Sequence, residues 1–222
     1  MRKIEIQKCD ICHMEVFQHT LSKQFDLNVC LNCNSKLCWM AIPKRFRQAR
    51  LLKIKISDKY LNVVKNYFNN DKGLFVTGTI GSGKTYLACA IAYENFFKYG
   101  RITTFNSTLK IFAELKEAIQ NGYSYEPIIF DLSKDLIILD DMGSERPTEF
   151  VVEILDRVIN HRNHFEENKF IITSNLSLQQ IGELFSDRIA SRIFEMCDTI
   201  VTPAQDLRLL KNKLIENKNI DM

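Results

Sequence analysis

The chain has 222 residues, of which 45% are hydrophobic and 26% charged, with a net charge of +3. That length is enough for one ordinary domain with a real core plus a small appendage. No stretch approaches the roughly 20 apolar residues that span a bilayer, and the opening Met-Arg-Lys-Ile-Glu-Ile-Gln-Lys lacks a signal-peptide core, so a cytoplasmic protein without membrane contact is expected.

The first element is a cysteine module. Cys9-x2-Cys12, 17 residues and Cys30-x2-Cys33 follow the spacing of four-thiolate zinc sites. Each Cys-x2-Cys pair can form a knuckle whose two sulfurs reach one tetrahedral ion, and two knuckles close the shell. A closed shell leaves no position for reactive water. The expected Zn²⁺ is therefore structural, holding together a segment too short for a core of its own. Disulfides are disfavoured in a reducing compartment. His13 reads as a solvated neighbour, and Cys38, beside Trp39, as a small buried side chain. These readings delimit residues 1–40 as a zinc-binding module.

Residues 41–60 form a basic linker or helix. Residues 1–59 carry 12 Lys/Arg against 5 Asp/Glu, a net of +7; the remainder has 18 against 22, a net of −4. Lys44, Arg45, Arg47, Arg50, Lys53, Lys55 and Lys59 face the single Asp58. Such a stretch attracts nucleic acid phosphates or forms a solvated face.

Residues 61–222 form the main domain. Gly73–Thr77 is an apolar strand, and it delivers the chain into Gly78-Thr79-Ile80-Gly81-Ser82-Gly83-Lys84-Thr85, a full match to the phosphate-binding loop G-x-x-x-x-G-K-[ST]. The glycines let successive N–H groups point inward at phosphate oxygens, Lys84 adds positive charge, and the Thr85 hydroxyl can join a Mg²⁺ shell. A helix over 86–99 offers its N-terminal dipole to the same anion.

Further on, 101–105 reads as a strand, 108–120 as an amphipathic helix, 135–140 as a buried strand, 150–165 as a helix and 169–174 as a second buried strand. This alternation predicts an α/β fold with a parallel sheet flanked by helices. Its ligand is expected at the C-terminal strand ends, where Gly78, Asp140 and Asn175 fall. Leu136-Ile-Ile-Leu-Asp-Asp141 puts two carboxylates at a strand tip, Asp140 for Mg²⁺ and Asp141 for orienting or deprotonating the water that attacks the γ-phosphate. Asn175 can reach that phosphate or water, although Ser-Asn also commonly starts a turn. Arg188 and Arg192 are four apart on one helix face, either reaching a neighbouring subunit's phosphate or simply solvated.

Taken in order, these motifs resemble the AAA+ ATPases of the DnaC/DnaI helicase-loader family and its relative IstB, the transposition helper ATPase. The resemblance runs from about Ile42 to Lys213 and rests on Ile42-Pro-Lys-Arg-Phe-Arg47, Gly78–Thr85, Leu136-Ile-Ile-Leu-Asp-Asp-Met-Gly-Ser-Glu145, Thr173-Ser-Asn175, Asp187-Arg-Ile-Ala-Ser-Arg192 and Asp206-Leu-Arg208. It implies a P-loop AAA+ sheet of the ASCE type, with ATP and Mg²⁺ bound by Gly78–Thr85. By position, Asp140 becomes the Walker B metal residue, Asp141 the catalytic acid, Asn175 sensor 1, Arg192 the arginine finger and Arg208 a sensor 2 residue at the nucleotide. An Asp at position 141, where many AAA+ proteins have Glu but an Asp pair is usual in this branch, suits slow, assembly-stimulated ATP hydrolysis. The cysteine module is similar to that of DnaI-type loaders.

The expected function is an ATP-dependent replicative helicase loader that binds single-stranded DNA and a hexameric, DnaB-like helicase and self-associates through its ATP sites. An IstB-like transposition helper on double-stranded DNA is the alternative, and a non-hydrolysing zinc adaptor a third reading.

Overall fold

The computed structural model describes residues 6–8, 15–17, 22–24, 27–29, 40–54, 57–134, 136–163, 169–204 and 206–207. Cys9, Cys12, Cys30 and Cys33 lie outside them, as do His13, Cys38 and Arg208. In the N-terminal part, β1 (Ile6–Lys8) pairs antiparallel with β2 (Glu15–Phe17), and β3 (Ser22–Gln24) with β4 (Leu27–Val29). The residue stretch 9–14, which contains the first cysteine pair, connects β1 to β2.

The main sheet contains β5 (Gly73–Thr77), β6 (Thr103–Ser107), β7 (Leu136–Met142), β8 (Phe170–Ser174) and β9 (Cys197–Val201). Their spatial order is β6-β7-β8-β5-β9, and every pairing is parallel. The helices are α1 (Asp58–Asn69), α2 (Lys84–Tyr99), α3 (Thr108–Gln120), α4 (Glu126–Lys134), α5 (Glu149–Asn163), α6 (Leu178–Leu184) and α7 (Asp187–Met196). The predicted α/β fold is thus observed. Strand β9 and helices α1, α4 and α6 escape the sequence reading.

Alternation along the central strands divides the core in two. Leu74, Val76, Ile138 and Ile171 face one side, where they pack with α1 and α2; Phe75, Ile137, Leu139, Phe170 and Ile172 face the other, with α3 to α7. Both faces are buried, so these strands read as continuous apolar runs with no polar side. Each fully buried side chain of this size contributes about 1.5–3 kcal/mol of hydrophobic stabilisation.

Helix α2 is apolar over most of its circumference, with Leu87, Ala88, Cys89, Ala90, Ile91, Ala92, Tyr93 and Phe96 all buried. Its outer side is covered by residues 40–54, which form a strap. Met40 accepts a backbone bond from Phe105 on the edge strand β6, at 2.8 Å. Met40, Ile42 and Ala49 are buried in the core on the α2 side, and the Arg50 guanidinium lies over the rings of Tyr93 and Phe97, 4.8 and 5.2 Å from their centroids. The helix stops at Gly100 in a left-handed turn that no side chain would favour, with Gly100 N–H and Arg101 N–H donating back to Phe96 and Asn95.

Candidate functional site

Three strand ends converge at one edge of the sheet. β8 lies between β5 and β7, so Asn175 falls between the loop after β5 and the acidic tip of β7. The loop 78–83 turns through three glycines with positive φ, Gly78 at 147°, Gly81 at 78° and Gly83 at 92°, the last capping α2. At Gly81 the restriction is steric as well, because a Cβ there would collide with the Asp206 carboxylate.

The segment after β9 braces this loop from outside. Leu207 N–H donates to Gly81 O at 3.0 Å, Thr202 N–H donates to Thr77 O at 2.8 Å, and the Ser82 and Thr202 hydroxyls are 2.6 Å apart. Asp206 therefore sits beside the loop. Ser82 also donates to Thr79 O at 2.7 Å, which closes the turn from inside.

Lys84 is buried at the loop's C-terminal end. Its ammonium donates to Gly78 O at 2.9 Å, Thr79 O at 2.8 Å and Asn175 Oδ1 at 2.7 Å. A cation this deeply enclosed is costly unless it is hydrogen-bonded, and these acceptors hold it at the mouth of the loop.

At the tip of β7 the ladder with β8 shifts register between Leu139 and Met142. Asp141 occupies the irregular position with φ of +59°, left-handed for a non-glycine residue. Thr173, the penultimate residue of β8, fixes both acids: its hydroxyl donates to Asp140 Oδ1 at 2.7 Å and accepts from Asp141 N–H at 3.0 Å. Asp140 is 4% exposed. Burial pushes its carboxyl above the ordinary range, opposed by hydrogen bonds from Thr173 and Thr85 and reinforced by the charge of Asp141. Behind the tip, Glu145 is also buried and raised by desolvation, accepting from Gly143 N–H and from Thr108.

A cavity of about 400 Å³ opens at this edge. Lys84, Thr85, Asp141 and Asn175 line its polar end, with Phe46, Ile80, Tyr86 and Leu207 as apolar walls and Arg45 contributed by the strap. Such a volume suits a nucleotide, the apolar walls suiting a base and the loop amides a polyphosphate. The donor set fits Mg²⁺ too, since a threonine hydroxyl and a carboxylate linked by a hydrogen bond supply the hard oxygen ligands this ion takes. Among the described residues no group of three or more His, Cys, Asp or Glu side chains could hold a metal on its own, so Mg²⁺ here would depend on phosphate oxygens and water.

Residues 45–214 match the model of IstB-like ATP binding proteins. The chain belongs to that family. Among curated proteins, this IstB-like chain is 29% identical over 123 residues to the replicative helicase loader DnaI of Bacillus subtilis (strain 168), across 54% of this chain and 39% of that one. It is 26% identical over 118 residues to the uncharacterized protein YdaV of Escherichia coli (strain K12), across 53% and 47% of the two. The chain thus spans less than half the length of either relative. The crystal structure of the DnaC helicase loader superposes with a TM-score of 0.64 at 24% identity, covering 72% of this chain and all of that one, which shows a shared fold.

The predicted loop, acidic tip and Asn175 are thus neighbours, whereas Arg188 and Arg192 lie on α7, away from the cavity lining. Arg188 Nε sits 3.4 Å from Asp156 Oδ1, without the alignment of a hydrogen bond. Among the described residues Arg192 has no ion pair. Sequence reading missed the role of Thr173 in holding both acids, the Thr202–Leu207 brace and the place of Arg45 at the cavity. The only signal was hydroxyl residues interrupting apolar runs at strand ends.

Proposed function

We propose that this IstB-like protein is an ATP-dependent replicative helicase loader acting in replication initiation. Gly78–Thr85 cradle the triphosphate, Thr85 and Asp140 hold Mg²⁺, and Asp141 orients the attacking water. Mg²⁺, when bound, supplies charge neutralisation between the phosphates. Asn175, hydrogen-bonded to Lys84, senses the γ-phosphate. Arg208 contacts nucleotide from the C-terminal side.

Arg192 is the trans-acting arginine in this reading. The support is its position four residues after Arg188, which Asp156 engages within the same chain, and the exposure of Phe194 (70%) two positions beyond, an apolar side chain suited to a subunit contact. Hydrolysis is slow and rises on assembly.

Residues 1–40 form the helicase-contacting module, with Zn²⁺ held by Cys9, Cys12, Cys30 and Cys33. The support for this is the spacing of two Cys-x2-Cys pairs 17 residues apart. Residues 41–60 link this module to the ATPase domain at 61–222, and their basic surface grips single-stranded DNA.

The observation that carries the loader reading is the likeness to the helicase loader DnaI together with a four-cysteine module ahead of the ATP-binding core. The test uses the full chain with ATP and a hexameric, DnaB-like helicase in size-exclusion chromatography. A complex that Cys9→Ser/Cys12→Ser abolishes is expected. Absence of any complex, with ATP-dependent filaments on duplex DNA, would transfer the assignment to a transposition helper.

A further inference from the structure

The cations of the strap are not equivalent. Arg50 lies over the rings of Tyr93 and Phe97, in the later turns of α2, whereas Gln48 O accepts from the Tyr86 hydroxyl at 3.3 Å in the first turn and Arg45 lines the cavity with Lys84 and Thr85. One helical turn is about 5.4 Å, so the strap descends along α2 and brings Arg45 over the turn that begins with Lys84 and Thr85. Among the described residues it is the one cation of this stretch that lines the cavity.

The Arg45 guanidinium lies over the ring of Phe46, 4.6 Å from its centroid, and the side chain is exposed. Stacking engages only the face of the guanidinium plane. The N–H donors lie in that plane at its edges, so a stacked arginine keeps the fork that matches phosphate oxygens. Phe46 itself walls the cavity, which fixes the direction from which this fork approaches.

We infer that Arg45 is a cis-acting phosphate contact, a second cation that the strap brings to the nucleotide opposite Lys84. This rests on the reading of Gly78–Thr85 as the triphosphate cradle. Arg45 then belongs to ATP recognition, and the remaining strap cations, Lys44, Arg47 and Lys53, are the ones left for nucleic acid.

The experiment titrates a fluorescent ATP analogue into the full-length parent, Arg45→Ala, Arg45→Gln, Arg45→Lys, Arg47→Ala and Lys84→Ala at fixed salt and Mg²⁺. Arg45→Ala and Arg45→Gln should bind about tenfold or more weakly, as expected for one charge-assisted hydrogen bond lost. Arg45→Lys should recover part of the loss, and Arg47→Ala should match the parent. Arg45→Gln keeps an unbranched polar side chain without the charge, so it carries the comparison if the alanine variant folds poorly. Parent-like affinity in Arg45→Gln while Lys84→Ala fails to bind would overturn this inference alone, as would loss of single-stranded DNA binding with ATP affinity intact. Parent-like affinity in Lys84→Ala would instead remove the cradle reading beneath it.

Discussion

Lys84 Nζ and Asn175 Oδ1 are 2.7 Å apart, joining the first turn of α2 to the end of β8 across 91 positions of sequence. The contact exists because β8 is inserted between β5 and β7, which sets its C-terminal end between the phosphate loop and the two acids. A neutral amide can hold the ammonium without neutralising it, leaving the charge for a phosphate. Asn175→Asp should form an ion pair with Lys84 and repel anions. ATP affinity is expected to fall about tenfold or more, measured by calorimetric titration, with no loss of thermal stability in the nucleotide-free protein.

Asp140 is the place where stability and function oppose each other. Its carboxyl is raised by burial, so the folded state favours the protonated form more than the unfolded chain does. The folded protein therefore loses stability as pH rises from the unfolded carboxyl's range through the folded one, and the penalty persists at neutral pH. Asp140→Asn should raise the melting temperature of the metal-free protein at neutral pH, by about 2–4 °C for each kcal/mol regained, and the gain should shrink in acid. Mg²⁺-dependent turnover should be lost in the same variant.

Asp141 adopts φ of +59°, a region that Asp and Asn tolerate and β-branched residues do not. Asp141→Asn should therefore keep stability within about 0.5 kcal/mol and retain ATP binding while losing hydrolysis. Asp141→Val should destabilise by about 1–2 kcal/mol in denaturant unfolding. Equal midpoints for the two variants would contradict a strained backbone at the tip.

The two arginines of α7 separate by partner. Arg188 lies against Asp156 within the chain, and both variants should leave monomer ATP affinity unchanged because neither lines the cavity. Arg192→Ala is expected to remove the concentration-dependent rise in turnover, by about 10³-fold at saturation if it serves as a finger. Arg188→Ala should change that rise little, and the reverse pattern would exchange their roles.

Much of the site is visible in the sequence because its parts are local. Gly78–Thr85 is contiguous, Asp140 and Asp141 end an apolar run, and buried parallel strands carry runs of hydrophobic residues such as 136–139. What stays hidden is non-local. Thr173 holds both acids only after β7 and β8 pair, and Asp206 meets Gly81 only after β9 closes the sheet. Arg45 belongs to a stretch whose charge suggests a solvated or DNA-facing surface. The burial of Met40, Ile42 and Ala49 on α2 is what turns it toward the cavity.

The central claim is that the backbone cradle of 78–85 takes a triphosphate with Mg²⁺, and isothermal titration of ATP into the full-length parent and Lys84→Ala tests it directly. The account predicts Mg²⁺-dependent binding by the parent and an affinity at least about 100-fold lower in the variant, which loses the buried ammonium. Equal affinity in the two proteins, or no binding by the parent, would contradict it.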